Sequence, residues 1–287
     1  MDDVLQLLHA PLGVPGSGRV RYGAAMELFR RGVLSEAQLD AYRDASPFDA
    51  RDPALLLSDR RLPPAPRSHA TQRALLAAVF AGACDYLGSL SHPGASEVKA
   101  CLGRCSAAER LPAPRSHPVA ERWLAPALAE AARLAPQLVQ AIEAAAPHLA
   151  WVSYDVYPRA EIGDGFANGH AFASLAGGDA AFTAADVELG LFLIAPHVLY
   201  RDHCHPAPEL YAPLTGPHGW RFGPGRTLIT KPAGAPVWNP PLQPHLTLVG
   251  DVPFLCLFVW TRDVSAPARV IPSSDWAQLK LPGVRPR

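Results

Sequence analysis

Near residue 150 the spacing of apolar residues changes from a helical to a strand-like rhythm, which constrains the fold more than any other feature of the chain. Upstream, Leu75, Leu76, Val79, Phe80, Ala83 and Leu87 recur at three- and four-residue steps and predict one apolar helix face. Val119, Trp123, Leu124, Ala127, Leu128 and Ala131 repeat the pattern. Leu138, Val139, Ile142 and Leu149 extend it beyond Pro136, where a kink or split is expected. The segment Ala24 to Tyr42 also reads as helical, with Ser35 in its middle as an N-cap. The Pro- and Arg-rich segments 61–67 and 111–118 read as loops.

Downstream, Val187, Leu189, Leu191 and Leu193 alternate. So do Phe254, Cys256, Phe258 and Trp260, with Leu255, Leu257 and Val259 on the opposite face. Short strands broken by Gly and Pro predict a sandwich or barrel. The expected division is therefore a helical N-terminal region, 1–150, and a β-barrel domain, 151–287. The tail after Thr261 carries little pattern and is expected to cross the barrel or to hang free.

Composition narrows the function classes. The chain has 287 residues, 49% of them hydrophobic and 18% charged, enough apolar surface for a packed core. Lys plus Arg and Asp plus Glu number 26 each, so no nucleic-acid or acidic-membrane partner is expected. Five cysteines, an odd number in a long chain, do not read as a disulfide framework. The acidic start Met1-Asp2-Asp3-Val4 lacks a signal-peptide pattern, and no apolar run reaches the ~18 residues of a membrane helix. A cytoplasmic protein is expected.

The chemistry concentrates between Tyr200 and Trp260, in His203-x-His205-x3-Glu209-x6-Gly216. Strand residues two apart face the same way, so His203 and His205 can point together into a barrel. Glu209, again at even parity, can share that face if the strand stays regular or bends gently. Imidazole and carboxylate together suit one divalent transition metal: Fe, Mn, Ni, Zn or Co. A fourth ligand has to come from elsewhere, and His245 is the candidate, in Gly234-x5-Pro240-x-Leu242-x2-His245-x3-Val249.

These two segments resemble the paired motifs of the cupin superfamily, which implies a mainly β, jelly-roll-like double-stranded barrel. The chain departs from the motifs at three positions: His197 stands for an expected Gly, and Leu242 and Val249 for an expected Gly and Asn. The departures bear on turns more than on ligands. The run His205-Pro206-Ala207-Pro208-Glu209-Leu210-Tyr211, and Asp251-Val252-Pro253-Phe254-Leu255 leading to Trp260 and Asp263, narrow the resemblance. Over roughly residues 185–263 the chain is similar to cupin-type dimethylsulfoniopropionate (DMSP) lyases and lyase-like proteins.

That resemblance implies β-elimination of DMSP to acrylate and dimethyl sulfide. The metal would hold the carboxylate of this zwitterionic sulfonium substrate. Tyr211 is the implied base, and Tyr200 a reserve base or orienting group. Trp260 is the implied aromatic partner of the sulfonium, and Trp220, Phe222 and Trp238 are also available. A homodimer through edge strands is a further implication. The same ligands serve cupin dioxygenases and isomerases acting on other small carboxylic acids, and a non-enzymatic small-molecule-binding cupin is a third reading. Other candidates have plainer readings. His170, His197 and His218 are expected to be structural, and Cys204 to point away from the metal. Lys231 is expected at the surface, and Cys101-x3-Cys105 has the wrong spacing for a zinc site.

Overall fold

The computed structural model describes residues 2–66 and 69–281. The chain forms two compact units, Met1–Ala74 and Leu75–Arg287. The change of rhythm at residue 150 falls inside the second.

The first unit contains helices α1 (Asp2–Leu8), α2 (Ser17–Arg30), α3 (Glu36–Ala45) and α4 (Pro53–Asp59), packed around Leu8, Leu28, Leu34, Tyr42 and Leu57. The expected helix from Ala24 to Tyr42 is two helices. Gly32, at φ 71°, turns the chain after α2. Ser35 caps α3, accepting the Gln38 N–H while the Gln38 side chain accepts the Ser35 N–H. The expected loop at 61–67 lacks helix or strand over 62–66, and Arg67 lies outside the described residues.

Helix α5 (His69–Gly88) leads into the second unit, followed by α6 (Ala95–Leu102), α7 (Pro118–Ala131) and α8 (Pro136–Ala145). Pro136 splits the helical run, standing in the first turn of α8, where its missing N–H costs nothing. Two short helices, α9 (Arg159–Ile162) and α10 (Asp164–Gly169), precede the barrel strands.

The strands, in chain order, are β1 (Ser106–Ala107), β2 (His170–Ala176), β3 (Phe182–Thr183), β4 (Glu188–Ile194), β5 (Leu199–Cys204), β6 (Glu209–Pro213), β7 (His218–Arg221), β8 (Ile229–Lys231), β9 (Val237–Asn239), β10 (His245–Leu248), β11 (Phe254–Trp260) and β12 (Arg269–Val270). They form a seven-stranded sheet in the order β1-β3-β2-β4-β11-β6-β9 and a five-stranded sheet in the order β12-β5-β10-β7-β8. This is the cupin architecture, with helices on its N-terminal side.

The seven-stranded sheet is apolar on both faces, which is why its strands read as near-continuous hydrophobic runs. Leu189, Leu191, Leu193, Leu255, Leu257 and Val259 face one way and share a core with Leu76, Val79, Leu124, Leu128 and Ile142 of α5, α7 and α8. The other parity, Phe192, Phe254, Cys256 and Phe258, faces the barrel interior. The helices thus cover the outer face of the sheet and leave the inner face to a site.

The tail crosses the five-stranded sheet. Its β12 pairs with β5, and Trp276 donates its indole N–H to Asp202 at 2.7 Å. Fully buried Arg221 bonds Asp202 on β5 and also Asp275 in the tail. Among the described residues no helix is long and apolar enough to cross a membrane.

Candidate metal centre and cavity

His203 on β5 and His245 at the start of β10 are register partners in the five-stranded sheet. His205 lies just past the end of β5, and its carbonyl accepts the Leu242 N–H at 2.9 Å. Glu209 does not continue that strand, contrary to the parity expectation. The chain leaves the five-stranded sheet after Cys204, passes Pro206 and Pro208, and enters the seven-stranded sheet at Glu209. The carboxylate thus comes from the opposite wall, because prolines cannot supply a ladder N–H between the two strands.

All four side chains are buried. Each imidazole Nδ1 donates to a backbone carbonyl: His203 to Arg201 at 2.8 Å, His205 to Ala207 at 2.8 Å and His245 to Gln243 at 2.9 Å. A carbonyl can only accept, so each ring carries a proton on Nδ1 and turns Nε2 to the site, where a neutral ring offers a lone pair. One ligand nitrogen of each ring lies within 4.8 Å of the others. Glu209 Oε2 is 3.2 Å from both His205 Nε2 and His245 Nε2. The Nε2 atoms of His203 and His245 are buried with no hydrogen-bond partner among the described residues.

Buried polar atoms are rarely left unpaired. Three imidazole nitrogens and a carboxylate converging in a buried pocket make a donor set that a cation would satisfy. Burial, with His245 and His205 beside it, pushes His203 well below the ordinary histidine pKa. Burial opposes ionisation of Glu209, but the His205 and His245 contacts outweigh it and hold the carboxyl well below its usual range. Trp260 Nε1 donates to Glu209 Oε1 at 2.8 Å and Asn239 Nδ2 to Oε2 at 3.2 Å, so the carboxylate is held from behind. This three-imidazole, one-carboxylate set fits a divalent transition metal.

Beside it lies a cavity of about 110 Å³, walled by Tyr154, Phe172, Glu188, Phe192, Tyr200, Glu209, Tyr211, Phe258, Trp260 and Val264. Tyr211 is buried, its ring 6.0 Å from that of His245. Burial, and next the Glu209 charge, push its phenol well above the ordinary tyrosine pKa. Tyr200 stacks on His203 at 3.8 Å and shares a 2.7 Å hydroxyl hydrogen bond with Tyr157. Trp260 lies over His205 with ring centroids 4.5 Å apart.

Three of the expected substrate-side aromatics do not reach this wall. Trp220 is fully buried behind Tyr211, 5.5 Å away. Phe222 packs on the interior core without lining the cavity. Trp238 pairs with Leu210 and turns outward to the helices, where a Cβ on Gly94 would meet its ring at 2.4 Å.

The structure adds residues that sequence reasoning missed. Asn239 is the register partner of Glu209, and Phe172, Phe192 and Phe258 occupy inward strand positions. Alternation carried a signal for Phe258 alone. Tyr154 and Tyr157 come from an irregular segment with no periodicity to read.

The other histidines have local partners. His170 Nδ1 donates to Phe166 and its Nε2 accepts the Tyr154 N–H; His218 bonds Thr215 and Gly250. His197 is exposed, 3.8 Å from Asp251.

A family model described as dimethylsulfoniopropionate lyase matches residues 98–256, more than half of the chain. Among solved structures, a chain from the crystal structures of the DMSP lyases RdDddP and RnDddQII is 23% identical at a TM-score of 0.55, the match covering 70% of this chain and 100% of that one. The DMSP lyase DddQ from Ruegeria pomeroyi DSS-3 is 21% identical at a TM-score of 0.50, covering 71% and 97%. These two likenesses are likenesses of fold. No curated protein matches the chain in sequence.

Proposed function

Because the chain belongs to the dimethylsulfoniopropionate lyase family, we propose that it cleaves DMSP to dimethyl sulfide and acrylate by metal-dependent β-elimination. The observation that carries this reading is the juxtaposition of a buried three-histidine cluster, with Glu209 against two of its rings, and an aromatic-walled cavity containing a buried tyrosine.

His203, His205, Glu209 and His245 would hold the metal, which supplies Lewis-acid charge beside the substrate carboxylate. Tyr211, as the phenolate that the charge of a bound metal would favour against its burial, takes the proton from the carbon next to that carboxylate. The electron pair released forms the carbon–carbon double bond, and the carbon–sulfur bond breaks. Sulfur leaves with its electron pair as neutral dimethyl sulfide, so no acid has to protonate the leaving group. Tyr200, fixed by Tyr157, orients the substrate from the His203 side. Aromatic faces, Trp260 foremost, receive the sulfonium at roughly 0.5–2 kcal/mol each. The apolar walls keep water from the reacting carbon.

The test is purified protein reconstituted separately with Fe, Mn, Ni, Co or Zn, incubated with DMSP, and dimethyl sulfide measured in the headspace. The parent releases sulfide. Tyr211→Phe keeps a stoichiometric ion but loses about 100-fold or more in kcat. His245→Ala loses the ion as well. Absence of sulfide with every metal, despite a bound ion, overturns the proposal.

A further inference from the structure

Glu188 is a second carboxylate in the cavity wall, and the elimination chemistry leaves it without a task. It opens β4 and pairs in register with Trp260 on β11, which pairs on its other side with Glu209 on β6. Directly opposed residues on neighbouring strands project to the same face. Glu188, Trp260 and Glu209 thus form one row across the cavity wall, with a carboxylate at each end. Neighbouring strands lie about 4.8 Å apart, so the backbones at the two ends are separated by about 10 Å.

The two carboxylates are dressed differently. Glu209 is engaged by two histidines, Asn239 and Trp260. Glu188 accepts one hydrogen bond, from the Ser174 hydroxyl at 2.6 Å, and among the described residues no basic side chain pairs with it. Around it stand aromatic edges and faces: Phe172 and Phe258 meet edge to face at 6.1 Å, and Tyr154 and Trp260 at 6.5 Å. The next inward position on β4 is Gly190, where a Cβ would lie 2.6 Å from the Phe258 ring, so the absent side chain lets that ring lean into the wall. Burial raises the Glu188 pKa against the Ser174 hydrogen bond, and a half-buried carboxyl without a counter-charge, set among aromatic rings, is a place where an onium cation would favour the carboxylate and be held by it.

We propose that Glu188, held by Ser174, is the onium-recognition residue of this cavity and selects zwitterionic substrates whose far end is a sulfonium or quaternary ammonium group. The assignment rests on the reading above, in which the substrate carboxylate lies at the Glu209 end. It makes the row a ruler for a carboxylate and a cation held by one molecule. Neutral and dicarboxylic acids of the same length are rejected, since one leaves Glu188 without a counter-charge and the other sets two anions together.

Two unreactive ligands of nearly the same shape isolate the charge: 3-(trimethylammonio)propanoate and 4,4-dimethylpentanoate. Their affinities for the metal-loaded protein are measured by calorimetry. The parent binds the cation at least 10-fold more tightly than the neutral acid. Glu188→Gln, which can still accept from Ser174, brings the ratio near one while leaving the neutral ligand unchanged. Glu188→Asp, which keeps the charge, retains part of the preference.

A parent with no preference for the cation, or with no binding of either ligand, overturns the proposal. So does an equal loss of both ligands in Glu188→Gln, which marks a structural role. Sulfide release is scored separately. A cation preference without sulfide release removes the lyase reading and leaves the subsite standing, whereas sulfide release without a Glu188-dependent preference does the reverse.

Discussion

Trp260 connects the two halves of the site through one side chain. Its indole N–H holds a Glu209 oxygen at 2.8 Å, its ring lies over His205, and it lines the cavity. Trp260→Phe keeps an aromatic face and removes only the donor. The expected result is a metal affinity 10- to 100-fold weaker, read by chelator competition, with the ion still bound at saturating concentration. An unchanged affinity would show that Asn239 alone suffices to orient the carboxylate. The three histidine tautomers belong to the same scale: each Nδ1 is committed to a carbonyl within two residues of its own position in the chain. The orientation of each ring is therefore fixed locally, whereas the rings and the carboxylate meet only through strand pairing.

At the scale of elements, the chain departs from the cupin motifs at turns. His197 and Leu242 stand where the motifs carry glycine, and both have left-handed backbones, φ 63° and 61°. An L-residue there carries roughly 1–2 kcal/mol of strain, partly offset because glycine loses more entropy on folding. His197→Gly and Leu242→Gly should each raise stability by roughly 0.5–1 kcal/mol in urea unfolding. Leu242 also matters to the site, because its N–H holds the His205 carbonyl. The turns keep the motif's backbone with a different residue, so the sequence departure left the fold intact. Val249 shows no such strain and takes the Val198 carbonyl through its own N–H at 2.9 Å.

For the whole molecule, two buried histidines away from the donor set couple stability to pH. His170 accepts the Tyr154 N–H at Nε2, and His218 accepts the Gly250 N–H at Nδ1, so a second proton on either ring would face another donor. Burial lowers both to about 4. Unfolded, each would titrate near 6.5. Between those values the unfolded chain binds more protons, so stability is full above about 6.5 and falls toward pH 4, by up to about 1.4 kcal/mol per pH unit for each ring. Thermal unfolding across that window should show the fall. A His218→Gln variant should shallow it, and an unchanged slope would assign the effect elsewhere.

The sequence by itself determined the helical and strand regions, the split at Pro136, the Ser35 cap and the two-faced alternation of Phe254 to Trp260. These follow from contacts between near neighbours, where a period of 3.6 or 2 fixes which side chains share a face. It also marked His203, His205 and His245, because their motif spacing is local. Only the tertiary structure decided that Glu209 reaches them from the other sheet, since strand parity ends where prolines carry the chain across. Tertiary structure alone separated Trp260 from Trp220 and Trp238, whose composition and neighbourhood in the chain look alike. It also brought Glu188, Asn239 and Tyr157 to the site. Their positions depend on register between strands and segments distant in sequence, and register is set by how the whole sheet buries its two faces.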